Sequence, residues 1–159
     1  MTIKPGQSLK RAVEKCGRHV TIAVAESCTG GLVSNLITDV SGSSKYFIGG
    51  VVAYGNDVKM DMLGVKAATL ERHGAVSIQT ATEMARGVKK KLNSRISVAI
   101  TGIAGPTGGN AQKPVGTVCI AVCAERKTTA RLFLFKGSRL TIKKQSALAA
   151  LKMLEDVLK

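Results

Sequence analysis

The chain lacks tryptophan and carries only two tyrosines, three phenylalanines and two histidines in 159 residues. Two histidines cannot build a three-histidine metal site. Their positions also argue against a Ser-His-Asp triad: His19 falls just before the first predicted strand, at its amino end, and His73 falls in a predicted turn. Cysteine is sparse as well. Cys16, Cys28, Cys119 and Cys123 contain no C-x-x-C pair, so neither a zinc site nor a disulfide framework is indicated. Cys119 and Cys123 share one face of a predicted strand and read as core thiols. No apolar run approaches the length of a membrane span. The N-terminus is basic and amphipathic without an apolar signal core, so the expected location is the cytoplasm, with no membrane partner.

Acidic residues are the other shortage: ten Asp and Glu against 24 Lys and Arg give a formal charge of +14. A charge of that size often marks a nucleic-acid binder. Here the aromatics are few, the cations are spread along the sequence and no recognised nucleic-acid module is present, so nucleic acid is not the expected partner. Two clusters are denser than the rest. Lys89-Lys90-Lys91 end a predicted helix, where cations suit the helix dipole. Arg139 with Lys143-Lys144 begins another helix, against that preference, and reads as the functional cluster. It would steer a small anionic substrate such as a nucleotide.

What is present is enough apolar material, 45% of residues, for one core, so residues 1–159 are expected to form a single domain. The periodicities predict helices at 6–16, 30–39, 57–63, 77–93 and 139–158, and strands at 20–26, 47–54, 96–101, 115–123 and 129–136. Residues 71–76 read as a turn, with Ser77 capping the long helix, and Ala124-Glu125-Arg126-Lys127-Thr128 reads as a hairpin. Strand-helix units beside a hairpin predict an α/β fold, a three-layer α/β/α sandwich around a mixed, mainly parallel sheet.

Three predicted strands end in polar tips. Thr21 to Ala25 run into Glu26-Ser27-Cys28-Thr29-Gly30-Gly31 before a helical pattern begins. In an open α/β sheet such a junction lies where ligands bind, and backbone N–H groups there suit an anion or oxyanion. Ser27 or Thr29 acting only as a helix cap is the simpler alternative. The second strand ends at Tyr54, with Lys59 five residues on. With Asn56 or Asp57 as cap, Lys59 falls in the first helical turn, an electrostatically poor place for a cation. The third ends at Thr101, before a loop with glycines at 102, 105, 108 and 109 whose spacing is not a dinucleotide fingerprint.

Ala25-Glu26-Ser27-Cys28-Thr29-Gly30-Gly31, Asp39-Val40-Ser41-Gly42-Ser43-Ser44, Phe47 to Tyr54, Leu63-Gly64-Val65, His73-Gly74-Ala75-Val76-Ser77, Thr101 to Pro106 and Lys113 to Val118 keep one order along the chain. In this the sequence resembles the C-terminal domain of CinA (competence/damage-inducible) proteins, a domain that also occurs as a stand-alone nicotinamide-nucleotide amidase. The resemblance implies hydrolysis of nicotinamide mononucleotide to nicotinate mononucleotide and ammonia, without metal or organic cofactor; the domain often follows an N-terminal one in longer proteins, and with no linker-like stretch in the sequence a free-standing enzyme is the expectation. It points to Ser27 as nucleophile, with Lys59 as a neutral base and Tyr54 beside it. Cys28 is the competing nucleophile. The N–H groups around Thr29, Gly30 and Gly31 would form the oxyanion hole. Thr101, Gly102, Gly105, Arg139 and Lys143 would hold ribose and phosphate, with Glu26, Gly42 and Asn56 as further substrate contacts. The chain departs from the family where it has Gly55 for serine, Lys143 for arginine and Thr107 for glycine, and in its Asn110-Ala111-Gln112 segment. A catalytically silent nucleotide- or nucleic-acid-binding module is the alternative reading, and a homodimer the default assembly.

With two distant histidines and no clustered ligand residues in the sequence, hydrolytic activity is expected to survive exhaustive EDTA treatment. Loss of ammonia release, restored by one divalent metal, would overturn that expectation.

Overall fold

Residues 4–125 and 127–159 are described by a computed structural model. Helix α1 (Pro5–Lys15) leads into β1 (Ile22–Glu26), α2 (Leu32–Thr38), a short 3-10 turn at Ser43–Lys45 and β2 (Phe47–Val52). Then come α3 (Asn56–Leu63), α4 (Ala67–His73), α5 (Ile78–Lys91), β3 (Ile96–Gly102), β4 (Thr117–Ala124), β5 (Lys127–Leu134) and α6 (Arg139–Val157). Among the described residues no helix is long and apolar enough to cross a membrane.

The five strands form one sheet in the order β2-β1-β3-β4-β5. β1 pairs parallel with β2 and β3, while β3 with β4 and β4 with β5 are antiparallel. Four strands thus point one way and β4 alone runs against them. The sheet is mixed as expected, and its pairings divide evenly, two parallel and two antiparallel.

Alternation along the central strands gives the two faces different sizes of side chain. Ile22, Val24, Val98, Ile100, Val118, Ile120 and Val122 build a bulky core beneath α1, α2 and α6. On the other face Ala23, Ala25, Ala99, Cys119, Ala121 and Cys123 are small, so α5 packs directly against the sheet backbone region. Ser97 belongs to this face and donates its hydroxyl to Ala85 O of α5 at 2.7 Å. The small cysteines are core thiols, as expected from their register.

Two local expectations change. The turn expected at 71–76 begins inside α4, a seven-residue helix ending at His73. Its own sequence offers no side-chain cap; instead Glu83 of α5 accepts from Lys66 N and Thr69 Oγ1, both at 2.8 Å. Helix α3 is preceded by Gly55, which caps nothing with a side chain, and Asn56 and Asp57 are already helical. Ser77 does cap α5, its hydroxyl accepting from Thr80 N at 3.1 Å. Of the expected β4–β5 hairpin, Arg126 lies outside the described residues; the flanking register pairs Ala124 with Lys127.

Two glycines set the position of α3 in opposite ways. A Cβ on Gly87 of α5 would collide with the Leu63 carbonyl at the end of α3, whereas a Cβ on Gly55 would meet nothing within 4 Å. Gly87→Ala is therefore expected to destabilise by about 2–3 kcal/mol through forced separation of α3 and α5. Gly55→Ser supplies the missing cap and is expected to stabilise by roughly a few tenths of a kcal/mol, the difference between serine and glycine at a helix N-cap. Urea melts of the two variants check both signs.

Candidate active site

The carboxyl ends of β1, β2 and β3 bring the three polar tips together. After β1 the chain turns through Ser27, Cys28, Thr29, Gly30 and Gly31 before α2. Ser27 N–H donates to Ile100 O of β3 at 2.9 Å, and Gly30 N–H to Ser27 O at 3.1 Å. Gly31 adopts φ 100°, a left-handed conformation that favours glycine, and neither Ser27 nor Thr29 caps the helix. Glu26 does that. Its carboxylate, 1% exposed, accepts from Gly31 N and Val33 N at 3.0 Å, from Ser34 N at 2.9 Å and from Ser34 Oγ at 2.8 Å. A buried carboxylate needs such partners, and the first amides of a helix have none within it.

This arrangement corrects two expectations. Glu26 does not face a substrate, because the helix amides surround its carboxylate. Gly30 and Gly31 cannot offer N–H groups to an oxyanion, since both already donate within the protein. In the turn, the N–H groups of Cys28 and Thr29 are the ones not engaged by another described residue.

Lys59 occupies the fourth position of α3 and is 1% exposed. Its Nζ donates to Tyr54 O at 2.9 Å, and among the described residues it has no acidic partner. Burial holds its pKa below the ordinary lysine value. The Cys28 thiol is pushed up to about 12, chiefly by burial and further by the Glu26 carboxylate, against the opposing fields of Lys143 and Lys59. At neutral pH it is therefore a thiol and exerts no anionic pull on Lys59.

Ser27, Cys28, Tyr54, Asn56 and Lys59 line one open cleft of about 190 Å³ with Thr101, Gly102 and Arg139. Arg139, the first residue of α6, donates to Gly105 O at 2.7 Å and to Tyr54 Oη at 3.0 Å. Tyr54 is 60% exposed and spans the rim, its carbonyl on Lys59 and its hydroxyl on Arg139. Lys143 lies beside the turn, its Nζ 3.7 Å from where a Cβ on Gly30 would stand. Gly42 is elsewhere: it shares a hollow with His19 and Val20 at the amino end of β1, so its assignment to the substrate site is withdrawn. His19 is at that same end, as its sequence position predicts.

Ala75, Val76 and Ala104 complete the lining and had no assigned role. Thr101 Oγ1 donates to Ala75 O at 2.8 Å, and Lys113 Nζ to His73 O at 2.7 Å. These two bonds hold the 73–76 wall against the loop after β3. Because that wall is built of backbone carbonyls and small side chains, only the His73 to Ser77 motif signalled it.

Cys28→Ala is expected to keep activity within several-fold of the parent, since a thiol with a pKa near 12 is a poor nucleophile at neutral pH. Glu26→Gln places an amide N–H₂ among helix N–H donors. It is expected to cost about 2–4 kcal/mol of stability. Activity assay of the first and denaturant melts of the second check these outcomes.

Residues 7–158 match the CinA C-terminal domain. The chain is similar to a CinA-like protein of Thermotoga maritima, 51% identical over 142 residues that cover 89% of this chain and 35% of that protein. It is also similar to one of Fervidobacterium nodosum, 51% identical over 136 residues covering 86% and 33%. The chain thus spans about a third of the length of these curated relatives. Among solved structures, the competence/damage inducible protein CihA from Agrobacterium tumefaciens superposes with a TM-score of 0.93 at 37% identity, covering 100% of both chains. A competence or damage-inducible protein from Enterobacter asburiae gives 0.92 at 33% identity, covering 99% and 100%. With the match running nearly end to end, the chain belongs to the CinA C-terminal domain family.

Proposed function

We propose that this domain hydrolyses the carboxamide of nicotinamide mononucleotide, giving nicotinate mononucleotide and ammonia, with Ser27 as nucleophile and Lys59 as general base. The observation that carries this reading is a lysine, 1% exposed and without an acidic partner among the described residues, sharing a cleft with a serine at a strand-turn tip. A surface lysine would be charged at neutral pH. One desolvated this completely is biased toward the amine, and the amine has the lone pair that a base requires.

In the first half-reaction Ser27 Oγ adds to the carboxamide carbon while its proton passes to Lys59 Nζ. The oxyanion that develops is met by the N–H groups of Cys28 and Thr29. Collapse of the adduct returns the proton from the Lys59 ammonium to the departing nitrogen, which leaves as ammonia, and an acyl-serine remains. Water then adds to the ester carbon, giving its proton to Lys59. Collapse of that adduct returns the proton from Lys59 to Ser27 Oγ, and the acid product gives up its remaining proton to solvent and departs as the carboxylate. The bond from Lys59 Nζ to Tyr54 O keeps the amine in place through both steps. No bond joins Ser27 Oγ and Lys59 Nζ among the described residues; such contacts commonly tighten only with substrate bound.

The anionic end of the nucleotide needs cations near this cleft. Arg139 has five N–H donors, and its bonds to Gly105 O and Tyr54 Oη leave others for a phosphate. Lys143 adds charge beside the turn, as a point cation without the paired donors of arginine.

Ser27→Ala is expected to lose several orders of magnitude in ammonia release from nicotinamide mononucleotide while melting like the parent. Lys59→Arg keeps the charge but holds its proton, so it should lose kcat nearly as fully as Lys59→Ala. An active Arg variant would show that Lys59 only attracts the phosphate. In the parent, kcat/KM should rise with pH through a pKa below the free value of about 10.4. Stability follows the same group. Since the folded-state pKa is lowered, the unfolded chain binds the extra proton, and stability rises with pH between the lowered value and the ordinary one. Lys59→Met should be inactive, more stable at neutral pH and without that rise.

A further inference from the structure

The fold gathers cations that the sequence spreads out. Three hollows adjoin at the amino end of β1 and β3, opposite the cleft. The first, about 570 Å³, has Arg86, Lys89 and Lys90 on its wall. It shares Glu125 with the second, about 120 Å³, which carries Arg18 and Arg95. The second shares Arg18, His19 and Val20 with the third, about 240 Å³, which carries Lys10 and Lys45.

Two acidic residues lie along this track, and each is already paired: Glu125 with Arg18 at 3.4 Å, and Glu14 with Lys10 at 3.7 Å. Arg86, Lys89, Lys90, Arg95 and Lys45 have no acidic partner among the described residues. Arg86, Lys89 and Lys90 thus face the first hollow with no carboxylate there, among the described residues, except the already paired Glu125.

We propose that this end of the domain is a docking track for the phosphate backbone of double-stranded nucleic acid. The cations extend over three adjoining hollows, more than one phosphate group occupies, and a repeating phosphate backbone offers a partner at each. Among the described residues the track exposes no phenylalanine or tyrosine, and its Tyr46 is buried, so the base stacking on which single-strand binders rely is missing. Contacts to phosphate alone carry no base readout, so binding is independent of sequence. A membrane surface would favour apolar side chains inserting beside the cations, and among the described residues the track exposes no large apolar side chain. β1 separates the track from Ser27 by five residues, roughly 16 Å of strand, so nucleotide and duplex can be held together.

The test is fluorescence anisotropy with a labelled random-sequence DNA duplex, titrated at several salt concentrations between about 50 and 200 mM. Lys89→Glu/Lys90→Glu is compared with Arg72→Glu/Lys136→Glu, the same charge change away from the track. The parent is expected to bind with affinity falling linearly in log salt. The track variant should bind about tenfold or more weakly, with a salt slope smaller by about 2, and the control variant should bind close to the parent. Lys89→Gln/Lys90→Gln, a milder change, should weaken binding in the same direction, and saturating nicotinamide mononucleotide should not displace the duplex. Equal weakening by both reversals would reduce the effect to net charge and overturn the proposal. So would displacement by the nucleotide, tighter binding to single strands or to anionic vesicles than to duplex, or no binding at the lowest salt.

Discussion

One carboxylate ties the centre of this fold together. Glu26 ends β1, which lies between β2 and β3, and closes the amide terminus of α2 with four hydrogen bonds. A strand and the helix after it could diverge at many angles across a five-residue turn. Four bonds to one rigid group leave a single angle, and Ser27 through Gly30 are strung between fixed points. The same device recurs on the other face, where Glu83 of α5 holds the start of α4. In a chain with ten acidic residues, two thus serve as caps supplied from another element.

That economy explains which parts of the fold were legible in the sequence. Strand β1 was plain because its residues are apolar or β-branched and all five are buried. The long helices α5 and α6 were plain too, each starting at a serine whose hydroxyl meets an amide three residues on. Helix α4 was not: seven residues, none buried and none able to cap it, leave no local signal when the cap comes from Glu83. Glu26 misled for the same reason. A carboxylate beside a candidate nucleophile looks like a ligand contact until the amides it serves, up to eight residues away, are seen.

Within the site, Ser27, Tyr54, Lys59, Thr101 and Arg139 were legible as strand tips and as an out-of-place cation, and the fold brings them into one cleft. Gly42 had only its motif to recommend it, and motif membership does not say which end of a sheet a turn occupies. The distribution of charge was illegible for a related reason. Lys45, Arg86 and Arg95 are scattered in sequence, and only the strand order β2-β1-β3 makes them neighbours.

The bond from Ser27 N–H to Ile100 O has a consequence for the life of the chain before it is finished. The serine motif is complete once residue 31 has been made, but the carbonyl that fixes its backbone belongs to a strand seventy residues further on. β1 likewise lacks one of its two edges until Ile96 pairs with Ile22. A nascent chain halted before β3 therefore carries every letter of the motif while its serine has no set direction and β1 stays open along one edge. Assembly waits on the ribosome delivering the third strand, and prematurely terminated copies hold an exposed apolar edge instead of an assembled cleft.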